Sequence, residues 1–552
     1  MNKQLYKLAS VVTIILAAGF SAFAQSDVIW KRNFGGSSLN NYGLITAVPD
    51  GIIAAGYSVF NTSEGDGDWA GYTGKGGCDA ILVKYDQKGD TVWKKIFGGS
   101  NSDGFISVTT VSDGIIAVGD ATINTSGGDG DWVGYTGKGK LDAVIVKYDY
   151  NGDIVWKKNF GGSSFDRYFS VTEVSDGIIA VGYSLSDSFG NGDWTDHTGK
   201  GIGDAIVVKY NHNGDVVWKK NFGGRNHDCY NSVVAVSDGF IAVGYSNIST
   251  SGDDGDWTDI TGKGLDDAII VKYNNNGDVV WKKKFGGSSW DYYESITAAP
   301  DGSIIAAGYS VINSSGGDGD WTGYNGKGDY DAIIVKYDYN GDIVWKKIFG
   351  GSSDDKYYYV TAVSDGIIAS GYSVISTSGG DGDWTGYTGK GDFDAIIVKY
   401  DYNGNIVWKK HFGGSGEEIY YSVVAVSDGI VAAGYAIINT SGGDGDWSGY
   451  SGKGRYDAII VKHSVTVSNI EFSEERLITS LRVYPNPVNG QLRIKNEELR
   501  EGSIIKIYDI SGKLILTYAL LMSEENVIDV SSLASGMYYL KIGNEMVKII
   551  KN

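Results

Sequence analysis

A short loop that recurs seven times pairs acidic residues with a tryptophan in a pattern that could bind calcium. Its usual sequence is Gly-Asp-Gly-Asp-Trp, with carboxylates at alternate positions of a glycine-rich segment. Calcium prefers oxygen ligands, and such a segment can wrap around an ion. Calcium is the one cofactor that we name. The hypothesis assigns the following residues as its ligands: Asp129, Asp131, Asp318, Asp320, Asp381, Asp383, Asp444 and Asp446. The alternative is that aspartate and glycine form turns while tryptophan packs the loop onto its sheet.

The aromatic residues of the same loops could instead stack on sugars. Ring faces bind the apolar faces of sugars, and repeated weak sites gain avidity. This hypothesis assigns ligand binding to Trp69, Trp132, Trp194, Trp257, Trp321, Trp384, Trp447, Tyr324 and Tyr387. His197 and Ile260 stand where two copies lack the tyrosine. Structural packing of these rings remains the alternative.

Residues for catalysis are harder to find. An active site needs a few unlike groups that converge on one pocket, whereas the recurring segments are near copies of one another. The five histidines show no metal-ligand spacing, and Cys78 and Cys229 are predicted to be free thiols. We therefore predict that the protein is not an enzyme. A polysaccharide lyase or hydrolase with acids and tyrosines gathered around a central axis stays open as an alternative.

These loops belong to a repeat of about 63 residues that covers most of the chain. The segment Val-Trp-Lys-Lys and its variants recur with tryptophans 62 to 64 residues apart, at Trp30, Trp93, Trp156, Trp218, Trp281, Trp345 and Trp408. In one unit, four short β-type runs cover 358–363, 367–373, 395–400 and 406–412, separated by Gly, Asp, Asn and Ser. Four antiparallel strands repeated seven times predict an all-β, seven-bladed β-propeller over residues 25–463.

The two ends of the repeat array complement each other. The last unit stops at His463 without its own Val-Trp-Lys-Lys strand, and a spare copy lies near the N-terminus at 28–34. If the N-terminal strand completes the seventh blade, the ring closes and no long sheet edge is exposed. An open β-solenoid is the alternative, but it does not predict this complementarity.

The repeat unit resembles the β-propeller repeats of secreted bacterial proteins. The residues that carry this resemblance run from Asp331 to Asp338, followed by Gly341, Trp345, Lys347 and the segment 349–352. The resemblance is specific for the fold and implies no single chemistry.

The segments on either side of the repeat array differ from it in sequence. Residues 1–24 have two lysines, an apolar run from Leu8 to Phe20 and an Ala-Phe-Ala ending, the order of a secretory signal peptide. After residue 463 the period ends, and residues 464–480 form a polar linker. Residues 481–552 contain seven short β-type runs and predict a small β-sandwich.

The C-terminal segment closely resembles the type A sorting domain of the type IX secretion system of Bacteroidetes. The matching residues are Tyr484, Pro485, Asn486, Pro487, Gly490, Gly512, Lys513, Gly536 and Tyr538. The resemblance implies partnership with the type IX machinery, transport across the outer membrane to the cell surface or beyond, removal of the domain, and attachment of the remainder to surface lipopolysaccharide.

The charge of the chain excludes one class of partner. The formal net charge is −20, and the basic residues are dispersed among acids, whereas nucleic-acid binding needs clustered Lys and Arg. We therefore expect an exported surface propeller that binds or adheres to carbohydrate, another surface polymer or a surface protein. A purely structural surface protein is the rival interpretation.

Overall fold

The computed structural model of the protein describes residues 28–60, 65–248 and 255–464 of the repeat region. In the C-terminal region it describes residues 482–484, 488–495, 504–509, 514–519, 526–531, 533–534, 536–542 and 545–551. The predicted signal peptide, 1–24, lies outside the described residues, and so does the linker after Ser464. The chain divides into two compact units between Thr466 and Val467.

The repeat region forms seven four-stranded antiparallel sheets, which confirms the predicted seven-bladed propeller. The inner strands of blades 1 to 7 are Asn40–Val48, Asp103–Val111, Asp166–Val174, Asp228–Val236, Asp291–Ala298, Asp355–Val363 and Glu418–Val426. The second strands are Gly51–Ser58, Gly114–Ala121, Gly177–Leu185, Gly239–Ser246, Ile304–Ser310, Gly366–Ser373 and Gly429–Ala436. The third strands are Asp79–Tyr85, Asp142–Tyr148, Gly203–Tyr210, Asp267–Asn274, Asp331–Tyr337, Asp394–Tyr400 and Asp457–His463.

The outer strands complete the blades. Those of blades 1 to 6 are Thr91–Phe97, Ile154–Phe160, Val216–Phe222, Val279–Phe285, Ile343–Phe349 and Ile406–Phe412. The second and third strands are buried on both faces, as their runs of Ile, Val and Ala require. In the tight hairpin after the third strand, glycines such as Gly404 have φ near +80°, a conformation that a side chain disfavours.

The ring closes through the N-terminal strand. Val28–Phe34 pairs antiparallel with Asp457–His463 and is the outer strand of blade 7, as the sequence predicted. Each inner strand contacts the inner strands of both neighbouring blades, and blade 7 contacts blade 1 in the same way. At this junction the Ile45 amide donates to Ser422 Oγ at 3.1 Å. Ring closure therefore leaves no blade without two neighbours.

The long loop between the second and third strands carries the repeated tryptophan in a single 3₁₀ turn. These turns are Gly67–Trp69, Gly130–Trp132, Gly192–Trp194, Gly255–Trp257, Gly319–Trp321, Gly382–Trp384 and Gly445–Trp447, and blade 3 adds Ser186–Ser188. Because strands alternate in direction, these loops and the links between blades emerge at one end of the ring, which we call the long-loop end. No helix among the described residues is long and apolar enough to cross a membrane.

The C-terminal unit contains two small antiparallel sheets. One has Arg482–Tyr484, Gln491–Lys495 and Asn526–Asp529. The other, in spatial order, has Leu514–Ala519, Ile504–Asp509, Gly536–Ile542 and Glu545–Lys551. Both sheets contribute to one hydrophobic cluster that includes Leu492, Ile528, Ile507 and Leu540. The seven predicted strands are present, and their arrangement as a sandwich stays a prediction.

Candidate functional site

In the loops with the sequence Gly-Asp-Gly-Asp-Trp, the first aspartate stabilises the link between blades. Asp129 Oδ1 accepts a hydrogen bond from the Ser100 amide at 2.8 Å. The same bond joins Asp318 to Ser288, Asp381 to Ser352 and Asp444 to Ser415, at 2.7 to 2.9 Å. Blade 3 has Asn191 at this position, and its side-chain oxygen accepts from Ser163 at 2.7 Å. The position therefore needs a hydrogen-bond acceptor and not a charge.

The second aspartate of each long loop forms a salt bridge with the preceding blade. Asp320 Oδ2 accepts from the Gly286 amide at 2.9 Å and pairs with Lys263 Nζ at 2.5 Å. We call the seven equivalent pairs the interblade lysine ring, which consists of Lys75–Asp131, Lys138–Asp193, Lys200–Asp256, Lys263–Asp320, Lys327–Asp383, Lys390–Asp446 and Lys453–Asp68. The last pair joins blade 7 to blade 1.

These contacts argue against the calcium hypothesis for Asp129, Asp131, Asp318, Asp320, Asp381, Asp383, Asp444 and Asp446. The second carboxylate of each pair already forms a salt bridge with a lysine ammonium group. A calcium ion at that carboxylate would be repelled by the positive charge of the lysine. The first carboxylate binds a backbone amide. In the part of the chain that the structure describes, no three His, Cys, Asp or Glu residues are grouped to hold a metal ion.

The seven loop tryptophans lie inside the blades. Trp69, Trp132, Trp194, Trp257, Trp321, Trp384 and Trp447 are each 0 to 1% exposed. Trp321 packs edge-on against Phe285 with ring centroids 4.9 Å apart, and its indole N–H donates to Asp291 Oδ1 at 3.0 Å. The prediction that these rings are sugar platforms is therefore wrong, because their faces are covered by the blade.

Tyr324 and Tyr387 extend the same packing toward the surface. Tyr324 contacts Trp321 edge-on at 5.7 Å, donates to the Lys346 carbonyl at 3.3 Å and lies under the Lys346 ammonium. Tyr387 repeats this arrangement with Trp384 and the Lys409 carbonyl. Both side chains are half-buried. One face of each tyrosine ring is thus covered by a lysine of the protein itself, Lys346 over Tyr324 and Lys409 over Tyr387.

The structure instead places a cavity on the propeller axis. Its volume is about 660 Å³, which lies in the range of pockets that hold small ligands. All seven blades contribute to its lining, a condition that only the axis can meet. The lining also includes the ends of second strands at Tyr183, Tyr245 and Tyr309, so the cavity lies toward the long-loop end.

One residue of each inner strand provides the core of this lining. In blades 2 to 7 this residue has no pairing partner at a β-bulge, and in blade 1 the irregular segment has two residues, Gly43 and Leu44. A bulge redirects a side chain, and bulges are common next to functional sites. The seven bulge positions are Gly43, Ile106, Phe169, Asn231, Glu294, Tyr358 and Tyr421, and all line the cavity.

The blades differ most from one another at the axis. The residue before each bulge position is a buried tyrosine in every blade except blade 2, where it is Phe105. The bulge position itself carries six different residue types in seven blades. The position two residues earlier carries seven different residue types, namely Asn41, Gly104, Arg167, Cys229, Tyr292, Lys356 and Ile419. Seven near-identical blades thus converge on one asymmetric cavity. Sequence reasoning considered the axis only for the enzyme alternative and named none of these residues.

Blades 4 and 5 form a polar wall in the cavity. Asn231 Nδ2 donates to Glu294 Oε2 at 3.2 Å and to the Tyr293 carbonyl at 3.1 Å. The Cys229 thiol donates to Asn231 Oδ1 at 3.4 Å. Desolvation raises the pKa of Glu294 to about 7, against the opposing effects of the Lys356 charge and a hydrogen bond from Tyr309. Part of the Glu294 side chain still faces the cavity.

The charges around the cavity have partners within the protein. The Lys356 ammonium lies 3.8 Å from the ring centroid of Tyr330 and 4.4 Å from that of Tyr309, and burial lowers its pKa. Arg167 Nε lies 3.1 Å from Asp120 Oδ2. Asp120 takes the place that tyrosine has in the other six second strands. The Arg167–Asp120 ion pair has no counterpart in the other described blades, unlike the pairs of the interblade lysine ring.

Aromatic and apolar side chains form the rest of the lining. Seven tyrosines contribute, namely Tyr183, Tyr245, Tyr292, Tyr309, Tyr358, Tyr359 and Tyr421. Leu44, Ile106 and Phe169 lie on blades 1 to 3. The cavity therefore offers ring faces and apolar surface together with the polar wall of blades 4 and 5.

In the C-terminal unit, only part of the predicted sorting motif lies within the described residues. Tyr484 ends the strand Arg482–Tyr484, and Gly490 precedes the strand Gln491–Lys495. Gly536 begins a strand of the larger sheet, and the Tyr538 hydroxyl donates to the Ala534 carbonyl at 3.0 Å. Pro485, Asn486, Pro487, Gly512 and Lys513 lie outside the described residues.

Comparison with known families decides the role of this unit. Residues 482–552 match the family described as the secretion system C-terminal sorting domain. The C-terminal unit is a type IX sorting domain. It directs the protein through the type IX secretion machinery to the cell surface or the extracellular space, as the sequence motif predicted.

Two relatives are similar to this chain at low identity. The chain is 24% identical over 475 residues to an uncharacterized WD repeat-containing protein of Acanthamoeba polyphaga mimivirus, and the match covers 70% of this chain and 34% of that protein. The chain is 25% identical over 204 residues to the regulatory protein FlaEY of Caulobacter vibrioides. This match covers 35% of this chain and 21% of that protein. The chain thus spans about a third and a fifth of these relatives.

One solved structure aligns with most of the chain. Sqt1 from Chaetomium thermophilum aligns with 80% of this chain and 99% of its own, at 10% identity and a TM-score of 0.38.

Proposed function

We propose that the protein is an exported binding module that holds carbohydrate in its axial cavity. The observation that carries this proposal is that seven unlike bulge residues meet in one cavity of a propeller whose blades are otherwise near copies. Tyrosine faces suit the apolar faces of sugars, and Asn231 and Glu294 suit their hydroxyls. The proposal moves the expected ligand site from the long loops to the axis.

A substitution on the cavity lining tests this proposal. Tyr358→Ala, made in the chain 25–552, removes a large aromatic contact and is expected to weaken polysaccharide binding by roughly thirtyfold, the effect of losing an interface hot spot. Binding is measured by pull-down against a polysaccharide panel and by calorimetry on the polysaccharide that is retained. The matched control is Tyr339→Ala, since Tyr339 is 40% exposed in a hairpin at the opposite end.

Two results would contradict the proposal. One is that the wild-type chain retains no polysaccharide of the panel. The other is that Tyr358→Ala and Tyr339→Ala bind as the wild type does while both remain folded by circular dichroism. The second result would return the long loops or the outer surface to consideration.

A polysaccharide-active enzyme is the second candidate, and Glu294 is the observation that favours it. A carboxyl group with a pKa near 7 in a cavity has the property that general acid catalysis needs. We favour binding without turnover because Glu294 is already hydrogen-bonded to Asn231 and Tyr309. New reducing ends or unsaturated sugar ends, lost in Glu294→Gln, would support the enzyme instead.

We further propose that the propeller is retained at the cell surface after the sorting domain is removed, through attachment to surface lipopolysaccharide. The sorting domain supports export, and retention is the additional step. Surface labelling and immunoblotting of intact cells test it. A cell-bound band of increased and heterogeneous mass supports attachment, whereas a single sharp band in the medium indicates release.

A further inference from the structure

The axial cavity is open at the long-loop end and stops halfway along the ring, and this shape concerns which part of a polysaccharide can enter it. The inference below rests on the proposed function. His227, directly before the inner strand of blade 4, is exposed and lines the cavity at its mouth. On that strand the deepest lining residue is Ser232, the fifth of nine. No described residue further along an inner strand lines the cavity.

The ring is closed directly below this level. The residues two positions beyond the bulge positions are only 1 to 7% exposed, and five of them follow a serine that is also buried. Because neighbouring strand residues face opposite sides, burial of both leaves neither side open to solvent. Thr109 and Thr172, one residue further along their strands, are half-buried. We call the seven apolar residues at this level the waist, which consists of Ile45, Val108, Val171, Val233, Ile296, Val360 and Val423.

Hydrogen bonds between blades hold the waist together. In four blades the amide of the waist residue donates to a serine hydroxyl of the preceding blade, at 3.1 to 3.3 Å. Ser232, for example, accepts from Ile296 of blade 5 at 3.3 Å. Such bonds form only where adjacent inner strands are in contact. The waist therefore separates the cavity from the opposite end of the ring.

A cavity with one opening suits a sugar residue that is linked on one side. An interior residue of a glycan has two neighbours, and both would have to leave through the same mouth. A terminal residue has one linkage, so its ring enters while the chain stays outside. Asn231, Glu294 and Tyr358 lie two positions before the waist residues of their strands, so a ring inserted as far as the waist reaches them.

We propose that the axial cavity binds the end of a glycan chain and not its interior. The terminal ring stacks on the tyrosines of the lining, its hydroxyls bond to Asn231 and Glu294, and its linkage points out of the mouth. A side branch of one sugar residue is an end in this sense, because it also has one linkage.

Chains of one composition and different length test this inference. Linear amylose, curdlan, xylan and mannan are each compared with their own fragments, as competitors for binding of the chain 25–552 to the immobilised polysaccharide. Fragments of about a tenth of the length carry about ten times as many ends per gram, so per gram they are expected to compete about tenfold better. At saturation in solution, measured by light scattering, the number of protein molecules per chain should not increase with chain length.

Ile106→Trp fills the cavity above the waist. Ile106 is at a bulge position and lines the cavity, so the larger side chain occupies the space of the inserted ring. Binding of the fragments is expected to fall at least about tenfold. Val92→Trp, at a 54% exposed position of an outer strand, is the control and should bind as the wild type does. The length series uses the wild type alone, so it decides the inference even if Ile106→Trp does not fold.

The outcomes separate this inference from the proposed function. Equal competition per gram by long and short chains, or a protein load that grows with chain length, overturns the inference. If Tyr358→Ala abolishes that binding, the axial site remains. Unchanged binding by a folded Ile106→Trp also overturns the inference, since a chain that lies across the mouth would tolerate this change. If no polysaccharide is retained, or if Tyr358→Ala does not weaken binding, the proposed function falls together with the inference.

Discussion

At the residue scale, the repeated side chains build the scaffold. Each blade uses a buried tryptophan, and in five blades its indole N–H donates to the carboxylate that begins an inner strand, as in Trp132–Asp103 and Trp384–Asp355. Desolvation raises the pKa of several of these acids, to about 7 for Asp291 and Asp355. Glu418 begins the inner strand of blade 7, accepts from the Gly414 amide at 2.8 Å, and has a pKa that desolvation raises to about 8. The bonds that these acids accept partly offset the cost of burying them.

Removal of a loop tryptophan should therefore reduce stability and not act on ligand binding directly. Trp321→Ala loses a fully buried indole and its bond to Asp291, and we expect the free energy of unfolding to fall by about 3 to 5 kcal/mol. Chemical denaturation measures this loss. Thr322→Ala, at an exposed neighbouring position, is the control. A folded Trp321→Ala of unchanged stability would contradict the structural role.

The buried acid Glu418 should make stability depend on pH. Because its folded pKa is raised, mainly by desolvation, the folded protein holds the proton over a pH range in which the unfolded chain has lost it. This contribution is present at low pH and is lost as pH rises from the ordinary glutamate value through about 8. His463, whose pKa burial lowers to about 3, acts in the opposite direction between about 3 and its ordinary value.

Denaturation of Glu418→Gln at pH 5 and pH 8 tests this effect. The wild type is expected to lose more stability between these two pH values than the variant does, since glutamine cannot titrate. Glu417→Gln, which changes the partly exposed neighbour, should behave as the wild type. Equal pH dependence in all three chains would show that Glu418 does not carry the effect.

At the element scale, closure of the ring depends on the N-terminal strand. Val28–Phe34 covers the edge of the third strand of blade 7, and its Phe34 contacts Trp69 of blade 1 at 5.0 Å. A chain that begins at residue 35 should therefore melt at a much lower temperature and aggregate through the uncovered edge. A chain that begins at residue 28 keeps the strand and is the control. Equal melting temperatures would contradict closure by this strand.

The interblade lysine ring is a second device at this scale. Its residues are roughly 24 to 33% exposed, so each pair lies between an exposed and a buried salt bridge. Lys453→Met removes the salt bridge between blade 7 and blade 1. We expect it to lower the free energy of unfolding, measured by chemical denaturation, by about 1 to 3 kcal/mol. Lys263→Met breaks the equivalent pair between blades 4 and 5, where the chain is continuous. A smaller effect of Lys453→Met than of Lys263→Met would contradict a role in closure.

At the scale of the whole molecule, the two units have separate tasks. The sorting domain determines where the protein goes, and the propeller presents the axial cavity there. A chain that lacks residues 482–552 should stay inside the outer membrane, as measured by protease access to intact cells. Glu294→Gln in the full chain is the control and should be exported normally. Export of the shortened chain would contradict the assignment of the sorting role to this unit.

Some properties of this protein follow from the sequence by itself. A constant spacing of tryptophans and turn residues predicts seven equal four-stranded sheets, because each unit is too small to bury its apolar faces without neighbours. The spare strand at 28–34 and the missing one after His463 predict how the ring closes. The sorting motif is equally readable because it consists of short segments in a fixed order along the chain, such as Tyr484 to Pro487. Comparison of the repeats could also have exposed the variable positions, such as Asn231 and Glu294.

Only the tertiary structure decided where chemistry can occur. In the sequence, Asp131 and Trp132 look like ligand-binding residues of a polar loop. In the folded protein, Asp131 forms a salt bridge with Lys75 of the neighbouring blade, and Trp132 is buried in the core. Glu294 and Tyr358 look like ordinary strand residues, but a bulge turns each toward the axis. Residues about 63 positions apart become neighbours there because a closed ring brings the inner strands of all seven blades to one line. Periodicity predicts the ring, and packing determines which side chains meet at its centre.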